Sequence, residues 1–209
     1  MLIFAGDPND MRSSAIALAI LALALGGWSL AAQGPLPLDL AITRHLQALI
    51  PAPSPWIEGL SSTAAWPLIV VSALVAAIFA ASLAGLRGAA GTLAGIGLAM
   101  AAERGLRMLI FVPRPDPALV DVAKASASSG LPSTFAIFYG AAAAALVLVS
   151  MGRRGPEAQI VRWSAVALLV AGCLGRVAAG GHWTSQVVAS AALGALASLA
   201  AMYLFRVTR

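Results

Sequence analysis

The chain has 209 residues, of which 60% are hydrophobic and 10% charged, and its mean hydropathy is +0.91. A water-exposed domain carries about 25% charged residues, so eight acids and thirteen bases cannot coat a globule of this length, and the surface must face lipid. The net charge of +5 is spread over single or paired bases, which excludes a nucleic-acid-binding patch, and a single cysteine, Cys173, excludes an intrachain disulfide or a multi-cysteine metal site.

A helical crossing needs about 20 mostly apolar residues. In chain order the sequence predicts six, over about residues 13–33, 64–86, 88–107, 133–151, 160–179 and 183–205. The first is longer than the apolar core of a cleaved signal peptide, about 7–15 residues, and is read as a retained helix. The loop after it, about Gln33–Thr63, is rich in proline at Pro35, Pro37, Pro51, Pro53 and Pro55. Inside it, Asp39–Ile50 sets Leu40, Leu46, Leu49 and Ile50 toward one face, which predicts a short helix lying on the membrane surface. A second outer loop runs from about Arg107 to Pro132, and a third, short one from about Arg176 to His182. Trp56, Trp66 and Trp183 fall near the same interface, as belt tryptophans do. The whole chain, 1–209, therefore reads as one all-α, polytopic membrane domain. Small residues such as Gly91, Gly95 and Gly97 suit close helix packing, within the chain or between copies, so oligomeric state stays open.

An even number of crossings puts both termini on one side. Arg12, Arg87, Arg153, Arg154, Arg162, Arg206 and Arg209 lie on that side, against Arg44, Arg104, Arg107, Arg114, Lys124 and Arg176 on the other. The count of seven to six becomes seven to three once Arg107, Arg114 and Arg176 are set aside as members of a site. The side with more bases is cytoplasmic, so the termini are expected inside and the site outside, as in a multi-pass protein of a bacterial inner membrane.

Polar groups at membrane depth are functional candidates, and here they gather at one face. Arg107 and Arg114 flank the second outer loop, Ser133 and Thr134 open the fourth span, Arg176 closes the fifth, and His182 opens the sixth. Guanidinium forks fit phosphate oxygens, and three of them can neutralise a phosphoryl group and the charge of its transition state without a metal. A helix start adds free N–H groups and hydroxyl donors. A neutral imidazole can attack phosphorus. Glu103, four residues before Arg107, is placed to hold it by an ion pair.

The spacing Arg107, six residues, Arg114-Pro115; then Pro132-Ser133-Thr134-Phe135; then Gly175-Arg176, five residues, His182, three residues, Gln186 resembles the motif set of the type 2 phosphatidic acid phosphatase (PAP2) family. That resemblance implies a PAP2-like helical core and a metal-free, cofactor-free phosphohistidine mechanism on a phosphorylated membrane lipid, such as a polyprenyl diphosphate or phospholipid, at the outer leaflet. It makes His182 the nucleophile, with Arg107, Arg114, Ser133 and Arg176 on the phosphate, and the Thr134 hydroxyl is placed to join them. The departures fall on the supporting groups. Phe135 stands where the family has its general-acid histidine, and Gln186 where it has the aspartate that orients the nucleophile. Arg107 replaces a lysine, Thr134 a glycine and Gly175 a serine. An alternative is therefore a divergent member that binds a phosphorylated lipid or a partner without hydrolysis. His45, the only other histidine, is a candidate substitute acid, although an interfacial histidine is the simpler account. Ala127-Ser128-Ser129-Gly130 approaches the Gly-x-Ser-Gly of intramembrane serine proteases with His182 as base, but that leaves the three arginines without a role.

Overall fold

The computed structural model describes residues 8–50, 54–151, 153–205 and 207, and among them the fold is all-helical. Pro51, Pro53, Arg206 and Arg209 lie outside the described residues. The helices are α1 (Pro8–Ala32), α2 (Asp39–Leu49), α3 (Pro55–Ser62), α4 (Leu68–Leu109), α5 (Thr134–Ser150), α6 (Pro156–Ala178) and α7 (Thr184–Leu204). Prolines open α3 and α6, where the missing N–H goes unneeded and the fixed φ suits a first turn. Met11–Ala32, α4, α6 and α7 are long and apolar enough to cross a membrane, and α5 is a shorter apolar helix of 17 residues.

The 42-residue α4 contains both the second and third expected spans. It breaks at Gly85, whose φ of 66° and ψ of −163° suit a residue without Cβ. Residues eight apart in a continuous helix are separated by about 12 Å. Here a Cβ on Gly88 would lie 2.7 Å from the Ala80 carbonyl oxygen, so the chain turns back on itself. Ile69 and Leu74 of the first arm, with Trp66 just before it, line one groove together with Leu93, Met100 and Arg104 of the second, as antiparallel arms require.

At the centre, α5 and α7 touch backbone to backbone. A Cβ on Gly140 would lie 2.4 Å from Ala191 O, and one on Gly194 would lie 2.0 Å from Ile137 O. Gly95 of α4 meets Ser198 of α7 in the same way. Bare backbone surfaces of this kind let apolar helices associate without a water-driven hydrophobic force. Around this pair, α1 packs on α7, the α4 hairpin packs on both α5 and α7, and α6 packs on α5.

Three expectations change. The Pro-rich loop contains a second short helix, α3, anchored by buried Ile57. On α2 the packed face is Asp39, Thr43 and Leu46, while Leu49 is 65% exposed, so Leu49 does not share the packed face. Trp183 is 1% exposed and begins α7 inside the bundle, unlike the exposed Trp56 and Trp66, so it is a core residue and not a belt residue.

Candidate functional site

The chain ends of four helices meet at one end of the bundle. Arg107 sits in the last turn of α4, Thr134 in the first turn of α5, Arg176 in the last turn of α6, and His182 two residues before α7. With Arg114 from the α4–α5 loop they line a cavity of about 450 Å³, shared with Glu103, Arg104 and Phe135 and closed on one side by Trp66 and Ile69.

Two of the lining cations, Arg107 and Arg114, are held by carbonyls, hydroxyls or an acid. The Arg107 guanidinium pairs with Glu103 one turn back and donates to the Ser129 and Pro132 carbonyls at 3.1 and 2.7 Å. Thr134 Oγ donates to the same Glu103 oxygen at 2.7 Å and accepts from Arg107 at 3.3 Å. Arg114 donates to Ser128 O and Oγ, both at 2.9 Å, and to Gly181 O at 2.8 Å. Burial, with Arg176 and Arg107 nearby, lowers its pKa to about 10, so it stays charged at neutral pH. Arg176 is half-buried and lies against Gly181, where a Cβ would be 2.7 Å from its Nη2.

His182 is 2% exposed. Its Nδ1 lies 2.8 Å from the Gly130 carbonyl oxygen, which can only accept, so Nδ1 carries the hydrogen and Nε2 presents its lone pair. Nε2 faces Arg114 Nη1 at 3.4 Å. Burial first, then the charges of Arg176 and Arg114, push the His182 pKa well below 6.5, against a smaller upward pull from the Gly130 bond. The ring is thus neutral at pH 7, held through Nδ1, with cations around its Nε2 lone pair.

The residues singled out from sequence divide into two groups. Arg107, Arg114, Thr134, Phe135, Arg176, Glu103 and His182 all line the cavity. Ser133 does not line it; it is fully buried at the start of α5, its N–H donates to Ser190 Oγ at 2.8 Å, and its own hydroxyl has no partner among the described residues. Gln186 is also fully buried and makes no hydrogen bond to the imidazole. Its Oε1 accepts from the Trp183 N–H at 3.1 Å, the helix-capping bond of α7, and its Nε2 donates to Pro113 O at 2.8 Å. The ring is oriented by the Gly130 carbonyl instead. Phe135 stacks on Tyr139 at 4.5 Å and its ring edge fills a notch at Gly172 of α6. His45 is exposed on α2 and is not part of the cavity. Neither Ser128 nor Ser129 bonds to His182: the first serves Arg114, and the second accepts the Val112 N–H and donates to Leu131 O. Among the described residues no three His, Cys, Asp or Glu side chains come together as a metal site.

Three contributors were missed from sequence. Arg104 lines the cavity; its position three before Arg107, on the same helix face, was a usable signal. The Gly130 carbonyl leaves no side-chain trace. Asp39, 3% exposed, accepts from the Ser185 N–H and hydroxyl at 2.8 and 2.7 Å and from the Leu36 N–H at 2.8 Å, so it ties α2 to the start of α7 just after His182.

A family model described as the PAP2 superfamily matches residues 88–209, more than half of the chain. The fold is similar to the crystal structure of the first transmembrane PAP2 type phosphatidylglycerolphosphate phosphatase from Bacillus subtilis. The TM-score is 0.64 at 21% identity, covering 93% of this chain and 94% of that one. No curated protein sequence matches the chain.

Proposed function

The chain belongs to the PAP2 superfamily, and from that premise we propose that it is a lipid phosphatase or phosphotransferase acting through a phosphohistidine at His182. The observation that carries this reading is the imidazole itself. It is buried and neutral, its Nδ1 hydrogen is spent on Gly130 O at 2.8 Å, and its Nε2 opens toward Arg114 in a cavity ringed by arginines. Nε2 attacks phosphorus, the P–N bond forms as the P–O bond to the lipid breaks, and the leaving oxygen departs with the bonding pair. Water then attacks the phosphohistidine, the P–N bond breaks, and inorganic phosphate leaves. The guanidiniums stabilise the extra charge in both steps. The Gly130 carbonyl faces the Nδ1 hydrogen throughout and favours the cationic phosphoimidazolium.

In the same reading the chain crosses the membrane six times, counting each arm of the α4 hairpin and the 17-residue α5 as one crossing. The termini are cytoplasmic, the site faces the exterior of a bacterial inner membrane, and α2 lies along its outer surface. The excess of bases on the terminal side supports this orientation.

A second reading has its own observation. Phe135, at the family's general-acid position, is locked between Tyr139 and Gly172, and Glu103, the only carboxylate among the described residues lining the cavity, is engaged by Arg107 and Thr134. A protein so built can bind a lipid phosphate and not turn it over. Phosphate release by detergent-purified wild type and His182→Ala, on a panel of lipid monophosphates and diphosphates, decides between them. The enzyme reading expects release from wild type alone. Release that survives His182→Ala defeats the phosphohistidine, and an inert wild type that still binds the lipid selects the second reading.

A further inference from the structure

The arginine cavity does not end at His182. A second cavity of about 520 Å³ lies between the two arms of α4, walled by Ile69, Val70, Leu74, Leu93 and Phe138, and it shares Trp66, Ile69, Met100 and Arg104 with the first. Its walls are almost wholly apolar. Arg104 therefore stands at the junction between a cationic chamber and a hydrocarbon-lined groove. It is exposed, and among the described residues it has no hydrogen-bond or ion-pair partner. Glu103, its neighbour in sequence, is paired with Arg107 instead. Arg104 and Arg107 are three apart on one helix, so their Cβ atoms are about 5–6 Å apart and their side chains can engage adjacent groups of one ligand.

Charge points the same way. Among the described residues four guanidiniums and one carboxylate line the cavity, a formal excess of three positive charges around a neutral imidazole. A lipid monophosphate brings about 1.5 to 2 negative charges at pH 7; a second phosphoryl group in the chain brings one more.

We propose that Arg104 is a second anion subsite that takes the inner phosphoryl group of a lipid diphosphate, while the terminal phosphoryl sits against His182, Arg114 and Arg176 and the hydrocarbon runs into the groove between the arms of α4. The assignment rests on the lipid-phosphate reading above and narrows it to lipids with two adjacent phosphoryl groups. It also compensates for Phe135. Phosphate leaving from phosphate has a second pKa of about 6 and departs without a proton, whereas a leaving alkoxide, closer to hydroxide with a conjugate-acid pKa of about 15.7, needs an acid, and Glu103, the carboxyl group among the described lining residues, is already engaged by Arg107 and Thr134.

The test is calorimetric titration of the detergent-purified protein carrying His182→Ala, which prevents turnover, with and without Arg104→Gln or Arg104→Lys. The probes are farnesyl diphosphate, farnesyl monophosphate and inorganic pyrophosphate. A charge-assisted hydrogen bond converts to about 10- to 100-fold in affinity. Arg104→Gln is expected to weaken farnesyl diphosphate by that factor and leave the monophosphate unchanged, with Arg104→Lys recovering part of the loss. Pyrophosphate is expected to bind at least about tenfold more weakly than farnesyl diphosphate, because it leaves the groove empty. Equal losses for both lipids, or none for either, overturn the subsite. Pyrophosphate binding as tightly as the lipid overturns the role of the groove. Failure of the monophosphate to bind at all overturns the cradle and the subsite together, which separates that failure from one confined to Arg104.

Discussion

Gly130→Ala tests the claim that a backbone carbonyl holds the nucleophile. A Cβ at this position would lie 2.7 Å from Gln186 Oε1, 2.8 Å from Gln186 Nε2 and 2.9 Å from Pro113 O. Comfortable contacts begin near 3.5 Å, so the loop or Gln186 must yield by about 0.5–1 Å. Gln186 is fixed at both ends, by the Trp183 N–H and by Pro113 O, and the loop carries the carbonyl that holds His182 Nδ1. If the loop yields, a 2.8 Å bond stretches past 3.3 Å and the ring loses its fixed tautomer. Overpacking of this kind costs about 1–3 kcal/mol of stability, and misplacing a reacting group by about 1 Å costs about 10²-fold in rate. The assay is phosphate release by purified protein on a lipid diphosphate, paired with thermal melting in the same detergent. Turnover is expected to fall about 10²-fold with KM little changed, and the melting temperature to drop. Gly130→Ala combined with Gln186→Ala removes two of the three clashes and should recover part of the melting temperature. A Gly130→Ala protein with wild-type turnover would refute the idea that this carbonyl orients the imidazole.

Arg114→Ala should abolish binding of orthovanadate measured without divalent metal, since Arg114 Nη1 stands 3.4 Å from the imidazole Nε2; retained affinity would place the anion elsewhere. Gly172→Ala should destabilise by about 1–3 kcal/mol, because its Cβ would fall 1.9 Å from the Phe135 ring; adding Phe135→Leu should restore the melting temperature, and no restoration would mean that the notch is not what seats the ring. Because the folded-state pKa of His182 is depressed, the unfolded chain takes up a proton below about pH 6.5 that the folded chain refuses. Its contribution to stability is therefore complete above pH 6.5 and shrinks on acidification toward the folded value, by at most about 1.4 kcal/mol per pH unit; His182→Gln should flatten melting curves between pH 7.5 and 5, and an unaltered slope would show that other groups set it.

Hydropathy made the apolar helices legible, because a lipid-facing helix announces itself along one continuous run. The pairing of the second and third runs into one hairpin was less visible: Gly85 is one of 20 glycines, and only its backbone angles distinguish it. The arginines and His182 were readable because their spacing is local to helix ends. What Gln186 does instead was hidden for a corresponding reason. Its position fits the aspartate it replaces, but a longer amide finds the α7 N-terminus and Pro113 first. Ser133 showed the same limit, since sequence places it at a helix start without saying that its hydroxyl turns into the core. Contacts made by backbone atoms, such as Gly130 O, or across 146 residues, as between Asp39 and Ser185, leave no pattern to read.

Asp39 also bears on the order in which the site is completed. It leaves the ribosome 146 residues before Ser185, the residue that satisfies most of its hydrogen-bonding capacity. Until α7 arrives, its carboxylate has only the Leu36 N–H within its own loop, and a half-satisfied carboxylate is poorly suited to a buried position. The same docking event that satisfies this carboxylate brings His182 beneath Gly130. Seating of the last helix and orientation of His182 are therefore coupled, and a chain truncated before residue 185 is expected to have neither a seated α2 nor a histidine held in register.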